Sequence, residues 1–405
     1  MRIVQKFGGT SVGSLERIEC TADLVAAELA RGHQVAVVVS AMSGETNRLL
    51  AMAHTLADQP APRELDAMVA TGEQVSAALL AIALQKRGIR AYSFNGRQAG
   101  VLTDSCHVRA RIKHVESAHL IEHLAAGEVP VVTGFQGVDA QGHVTTLGRG
   151  GSDTSAVALA IAVQADLCDI YTDVDGIYTT DPRVVPKARK IDRIAYEEML
   201  EFASLGAKVL QTRSVELAMR FQMPLQLRSS FEPVAGTMVV QEDEIMERAT
   251  ISGVAYNRDE AKITIKGIPD HPGIAVNVFG PVADAGINVD VIVQNVSEEG
   301  HTDITFTVPR GDYAQTMEIM NRLCSEMKAQ GVKGDDSVAK VSVIGVGMRS
   351  HAGVAKDMFD VLAKEGVNIQ MITTSEIKIT VVIDEKYVEL AVRALHSAFG
   401  LDAEA

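Results

Sequence analysis

Gly148-Arg149-Gly150-Gly151-Ser152-Asp153-Thr154 stands directly before the apolar run Ala156 to Val163. Three glycines around an arginine do not suit a core. They suit a loop whose main-chain N–H groups approach an anion at the start of a buried helix, where the helix dipole adds to the attraction. Ser152 or Asp153 would cap that helix. Taken alone, the loop also describes a surface turn followed by an ordinary capped helix. Near the N-terminus, Lys6-Phe7-Gly8-Gly9-Thr10-Ser11 sets a lysine beside two glycines and two hydroxyls. Such a lysine reaches a phosphoryl group while the glycine amides meet its oxygens. A strand-to-helix turn with a solvated lysine is the other reading, and the residue order of a P-loop is absent.

Three further stretches carry polar groups. Ser40-Ala-Met-Ser43-Gly44-x-Thr46 follows an apolar strand. Thr71-Gly72-Glu73-Gln74 places a glycine inside a helical pattern, at a cost of about 1 kcal/mol. Either the helix begins near Thr71 or the glycine makes room for a neighbour; Glu73 is then a ligand for an ammonium group or a solvated helix residue. The loop from Thr172 to Arg183 offers its acids, Asp173, Asp175 and Asp181, to a divalent cation, Tyr178 as a base and Arg183 to a phosphate, without the spacing of an EF-hand. Gly206-Ala-Lys208 adds a lysine near a turn. No Ser-His-Asp or Cys-His set is present. Together, these loops describe phosphoryl transfer by positioning and charge neutralisation.

The elements that must hold them alternate. Strands are predicted at 2–7, 35–40, 89–94, 129–134, 168–172 and 224–228, and helices at 15–31, 63–87, 109–126, 154–164 and 196–220. Runs such as Val35-Ala-Val-Val-Val39 are apolar throughout, as expected of strands covered on both faces. The fold class is therefore α/β, with an open, mainly parallel sheet sandwiched by helices. In such folds ligands lie beyond the carboxyl ends of strands, and the loops after Phe7, Val39, Val132 and Tyr171 fall there.

Composition narrows the partners. Lys plus Arg total 38 against 52 Asp plus Glu, a net charge of -14, which argues against nucleic acid or an anionic membrane as partner. The four cysteines, Cys20, Cys106, Cys168 and Cys324, are scattered without metal or disulfide spacing, as expected of a cytoplasmic protein. No apolar run is expected to reach membrane-spanning length, and the N-terminus reads as a strand rather than a signal peptide.

Beyond the acidic stretch 241–248 the chain repeats itself. Lys262-Ile-Thr-Ile-Lys-Gly267 matches Lys340-Val-Ser-Val-Ile-Gly345, His271-x-Gly273 matches His351-x-Gly353, and Gly286-Ile-Asn288 matches Gly366-Val-Asn368. Each copy reads as a βαββαβ unit. In both, the glycine loops can cradle a carboxylate, and Asp270, Asp290 or Glu376 can take an ammonium. Either Gly-x-Asn asparagine is equally well a turn residue. The predicted domains are 1–245, 260–336 and 338–405.

Lys6-Phe-Gly-Gly-Thr-Ser-Val12, Val39-Ser-Ala-Met42, Thr71-Gly-Glu-Gln74, Thr146-Leu-Gly-Arg-Gly-Gly-Ser-Asp153, Tyr171-Thr-Asp-Val-Asp-Gly-Ile-Tyr178 and the two repeats together resemble the aspartate kinase family, of the amino-acid kinase fold with two C-terminal ACT domains. The resemblance implies ATP-dependent phosphorylation of the L-aspartate side-chain carboxylate with Mg²⁺, the first step towards lysine, threonine, methionine and diaminopimelate. It implies that Lys6 stabilises the transferring phosphoryl group, that the amides of Gly8 and Gly9 hold phosphate oxygens beside Phe7, and that Asp153 orients Lys6. Arg149 would fork onto the substrate α-carboxylate and Glu73 would pair with its α-ammonium, with Ser40, Thr46 and Ser152 completing the pocket. Thr172, Asp173, Tyr178, Arg183 and Lys208 would serve the nucleotide.

The repeats would bind lysine, threonine or both. The matching positions are Asp270, Pro272, Gly273, Ala275, Asn288, Val289, Asp290 and Gln294 in the first copy. In the second they are Gly353, Val354, Asn368, Ile369, Thr374, Ser375 and Glu376. Relatives pair these modules between subunits, implying a homo-oligomer; an internal start at Met246 would instead give an α2β2 assembly. Relatives more often carry proline at Thr212, where only a local loop difference is expected. A kinase acting on N-acetylglutamate, or a non-catalytic amino-acid-sensing protein, are the alternative readings.

Overall fold

A strand with no polar side of its own must be covered twice, and Val35 to Val39 have no solvent exposure at all. In the computed structural model, which describes all residues except 206–208, 243–249, 297–299, 352 and 404–405, Gln34–Val39 lies inside an eight-stranded sheet. From edge to edge the order is Arg193–Ala195, Thr237–Val240, Leu225–Ser229, Leu167–Thr172, Arg2–Phe7, Gln34–Val39, Val129–Thr133, Ala91–Phe94. Every pairing is parallel except that of Leu225–Ser229 with Thr237–Val240. Arg2–Phe7 is flanked by Gln34–Val39 on one side and by Leu167–Thr172 on the other. The chain thus leaves in opposite directions around this strand, and such a reversal opens a crevice beyond its carboxyl end.

Some expected elements differ. The stretch 109–126, expected as one helix, is a strand Ile112–Val115 followed by the helix Ala118–Ala125. The strand belongs to a four-stranded sheet, in the order Ile112–Val115, Val101–Thr103, Gln136–Val138, Val144–Thr146, whose strands are too short to show a period. Helix 63–87 divides at Ala70 into Pro62–Val69 and Thr71–Lys86, and 196–220 divides into Tyr196–Ser204 and Thr212–Phe221. Thr212 is the first residue of its helix, a position that accepts proline. Glu45–Leu56 is a helix that was not expected.

Contrary to expectation, Pro62–Lys86 is long and apolar enough by length and composition to cross a membrane. It serves instead as a core helix: Ala77, Leu80, Ala81 and Leu84 pack into one cluster with Val35, Val37, Val129 and Val131.

The chain divides into two units. The first comprises 1–178, 190–204 and 208–247; the second comprises 179–189, 205–207 and 248–405. The second unit is built on one six-stranded sheet rather than two separate ones, in the order Asp290–Val296, His301–Val308, Gly253–Pro269, Gly331–Ile344, Lys378–Asp384, Met371–Thr374. The two central strands are long enough to serve both repeats. Residues 262–266 pair with 331–335 in the first, and residues 253–257 pair with 340–344 in the second. The second repeat therefore takes a strand from chain that precedes the first. Residues 179–189 also belong here: Val184 and Val185 are buried in the second repeat's core, Val254 N–H donates to Thr179 O at 2.8 Å, and Arg393 Nε donates to Val184 O at 2.9 Å.

Candidate active site

The strand Arg2–Phe7 delivers Lys6 to the crevice and helix Gly151–Ala162 delivers Asp153. Lys6 Nζ lies 2.8 Å from Asp153 Oδ1, with both residues under 10% exposed (9% and 7%). The helix cap differs from expectation: Gly150, left-handed at φ +71, is the N-cap, and neither Ser152 nor Asp153 caps it. Both sit in the first turn. Asp153 there meets the positive end of the helix dipole and the lysine together, so its charge is doubly compensated.

Around this pair the main chain comes close. A Cβ on Gly8 would lie 3.3 Å from Lys6 Nζ, and one on Gly9 would lie 3.0 Å from Ala41 O. The Gly8 N–H is committed, donating to Tyr171 O at 3.2 Å. Among the described residues the Gly9 N–H has no acceptor, so it is Gly9 whose amide remains open to an incoming oxygen. Phe7 is fully buried and stacked on Tyr171, with ring centroids 4.7 Å apart, and acts as scaffold.

Glu73 comes in against the loop after Val39. Gly72 makes this possible, because a Cβ there would meet the Ala41 Cβ at 2.8 Å. Helix Thr71–Lys86 can thus lie against the loop after Val39, and Glu73 Oε1 accepts the Ala41 N–H at 3.0 Å. Its Oε2 is buried without a partner. Burial of this carboxylate, 3% exposed, outweighs the Ala41 hydrogen bond and pushes its pKa up to about 7. A buried carboxylate with one empty oxygen is a socket for a cation. Ser40 and Thr46 are half-buried in the same loop and the helix it feeds. Ser152 is buried against Gly134, where a Cβ would come within 2.7 Å of its Oγ. Arg149 is exposed at the loop tip and, among the described residues, has no ion-pair partner.

The proposed nucleotide residues lie beyond Tyr171. Thr172 Oγ1 donates to Asp173 Oδ1 at 3.0 Å. Tyr178 donates its hydroxyl to Asp175 at 3.0 Å; burial and that hydrogen bond raise its pKa, which disqualifies it as a base at neutral pH. Arg183 falls in the second unit, where it is exposed and pairs with Asp181 at 2.8 Å. Lys208 and Met246 lie outside the described residues. Sequence reasoning passed over Lys190, whose Nζ lies 3.2 Å from Asp175 Oδ2, and Ser230, whose Oγ lies 2.8 Å from Ser11 Oγ. Neither has a local signal; only the fold returns them to this edge. No group of three or more His, Cys, Asp or Glu suited to a metal ion occurs among the described residues.

In the second unit, Gly273 and Gly353 are left-handed N-caps, at φ +96 and +113, of the matching helices Ile274–Asp284 and Val354–Lys364. Asp270, Pro272, Ala275, Asn288, Gln294, Asn368, Thr374, Ser375 and Glu376 are exposed around them. Val289 and Ile369 are half-buried, and Val354 packs into the core of its repeat. Asp290 is paired already: Lys340, 1% exposed, lies 2.5 Å from Asp290 Oδ2 and 2.9 Å from Glu260 Oε2.

Residues 1–229 match the amino acid kinase family, and residues 263–325 and 341–399 each match an ACT domain. The chain is similar to an aspartokinase of Pseudomonas aeruginosa, 59% identical over 100% of this chain and 98% of that one. It is also similar to an aspartokinase of Helicobacter pylori, 50% identical over 99% and 100%. Among solved structures it resembles E. coli aspartokinase III in complex with aspartate and ADP, at a TM-score of 0.81 and 30% identity over 98% and 99% of the two chains. The same enzyme with lysine and aspartate matches at a TM-score of 0.77 and 30% identity over 98% and 99%.

Proposed function

This chain belongs to the aspartate kinase family, and from that premise we propose how its own residues move the terminal phosphoryl group of ATP onto the side-chain carboxylate of L-aspartate. The nucleophile is the substrate. A carboxylate is ionised at neutral pH, so no general base is required, and the products are 4-phospho-L-aspartate and ADP. Lys6 neutralises charge on the phosphoryl oxygens as the bond to the leaving ADP breaks, and Asp153 holds its ammonium on target. The Gly9 amide adds a donor. Glu73 receives the substrate α-ammonium on its empty oxygen and Arg149 forks onto the α-carboxylate, with Ser40, Thr46 and Ser152 around them. Thr172, Asp173, Tyr178 and Lys208 serve the nucleotide.

Mg²⁺ fits this arrangement as a passenger on the phosphates, because the described residues offer no closed cage of ligands and this ion keeps water and phosphate oxygens around it. When bound there it neutralises phosphate charge. The reaction belongs to the cytoplasm.

The observation that carries the assignment of roles is the pairing of Lys6 with Asp153 together with the unpaired oxygen of Glu73, which is joined through Ala41 to the loop that holds Gly9. A substrate lacking a free ammonium would leave that oxygen empty. Turnover with aspartate and none above background with N-acetylglutamate is therefore expected in an ADP-release assay. Comparable rates with the two would overturn the role of Glu73.

Regulation is assigned to the second unit. The relative bound to lysine supports lysine as an effector. The two repeats differ in their polar residues, Asp270 and Asp290 in one against Thr374, Ser375 and Glu376 in the other, which supports two different ligands. Concerted inhibition is expected: lysine or threonine alone inhibits weakly, and both together inhibit fully. Full inhibition by lysine alone would reject it. Among the described residues the outer strands Asp290–Val296 and Met371–Thr374 have one unpaired edge each, which supports assembly of a homo-oligomer through this unit.

A further inference from the structure

We propose that Asp66 is a positioning residue for the amino-acid substrate, setting the distance between the group that takes its ammonium and the group that takes its carboxylate. This inference rests on the roles given above to Glu73 and Arg149. Asp66 is fully buried on helix Pro62–Val69, yet no part of the transfer uses it. Its carboxylate gathers three donors. His107 Nδ1 lies 2.7 Å from Oδ2, the Val108 N–H donates at 3.0 Å and 3.1 Å to the two oxygens, and Thr146 Oγ1 donates to Oδ1 at 2.5 Å.

These donors are the foundations of the Arg149 loop. Thr146 ends the strand that runs directly into Leu147-Gly148-Arg149-Gly150. The segment 107–110 lines the same loop: Ala110 N–H donates to Thr146 O at 2.8 Å, and a Cβ on Gly148 would lie 3.1 Å from Val108 O. Arg213 locks the two together, donating to Leu147 O at 3.2 Å and to Ala110 O at 3.0 Å. Val108 itself has φ +70, a conformation that a β-branched residue does not hold unless its surroundings impose it. Asp66 imposes it by gripping the Val108 N–H. Strain kept in this way clusters at working sites.

The other end of the arrangement is on the same rod. Glu73 stands seven residues after Asp66, and Ala70 between their two helices keeps a right-handed helical conformation, so two turns bring both carboxylates to one side. One anchors the cation-bearing loop and the other receives the ammonium. Among the described residues, none of the hydrogen bonds of Asp66 reaches Lys6, Gly8 or Gly9. Loss of Asp66 should therefore loosen the grip on the amino acid and leave the nucleotide alone.

The test is steady-state kinetics of Asp66→Asn and Thr146→Val beside the wild type. In Asp66→Asn the KM for aspartate is expected to rise about tenfold or more, with the KM for ATP and kcat within about threefold. Thr146→Val, which deletes only one of the three donors, should move the same constant in the same direction by a smaller factor, and it reads the inference if Asp66→Asn does not fold. An aspartate KM unchanged in a folded variant, or KM values for both substrates rising together, would overturn the inference alone. Wild-type protein without aspartate-dependent turnover would overturn the substrate assignment and this inference with it.

Discussion

Replacing Lys6 by methionine is expected to lower kcat about 10³-fold while the KM for aspartate changes by less than about threefold. The ammonium acts on charge that spreads over the phosphoryl oxygens only as the bond to ADP breaks, so its loss falls on the transition state. The substitution also strands Asp153, which is 7% exposed and whose one ion-pair partner among the described residues is Lys6. An unpaired carboxylate would then face an incoming polyphosphate, adding repulsion to the missing attraction. Asp153→Asn should be milder, because it frees the lysine without removing it. A Lys6→Met protein with kcat within tenfold of wild type would show that phosphoryl charge is met elsewhere.

Glu73 should make substrate binding depend on pH with a defined sign. Its pKa of about 7 in the folded protein stands above the ordinary 4.5 because burial disfavours its charge. The substrate ammonium favours the charged form, so binding lowers this pKa and releases a proton. The KM for aspartate should therefore fall as pH rises towards 7 and level off above it. Glu73→Gln, which cannot ionise, should show a KM about 10²-fold higher at pH 8 with no such profile. Stability follows the opposite course. A carboxyl group with a raised folded pKa contributes stability that is present below pH 4.5 and lost as pH rises through about 7. At pH 8 the empty, charged Glu73 costs about 3 kcal/mol. Glu73→Gln should accordingly have a higher Tm than wild type at pH 8 and an equal one near pH 4. Equal Tm values at both would mean that Glu73 is not held charged in a dry site.

What could be read from residues alone followed physical distinctness. Val35 to Val39 announce a covered strand because nothing polar interrupts them, and Lys6-Phe-Gly-Gly announces a turn at a strand end. The glycine inside 71–74 was read as either a helix start or a space-maker, and it is both: the helix begins at Thr71 and Gly72 admits Ala41. The repeats were visible because glycines and asparagines recur at fixed spacing. Their shared sheet was not, because residues 253–257 precede the repeat and serve its second copy only through long-range pairing. The four-stranded sheet escaped for want of length, its strands Val101–Thr103, Gln136–Val138 and Val144–Thr146 each being 3 residues long. Asp66 carries no local signal in the sequence. Its partners lie between 41 and 80 residues away in the chain, beyond any local pattern. Gly8 and Gly9 look alike in sequence, yet one amide is spent on Tyr171 and the other is open.

The account turns on where the amino acid sits, and a structure of the protein with aspartate and ADP measures that directly. It should place the α-ammonium in hydrogen-bonding distance of Glu73 Oε2, the α-carboxylate against Arg149, and the side-chain carboxylate facing Lys6 across the leaving phosphate. Aspartate bound with its side-chain carboxylate on Arg149 and its ammonium away from Glu73 would contradict it.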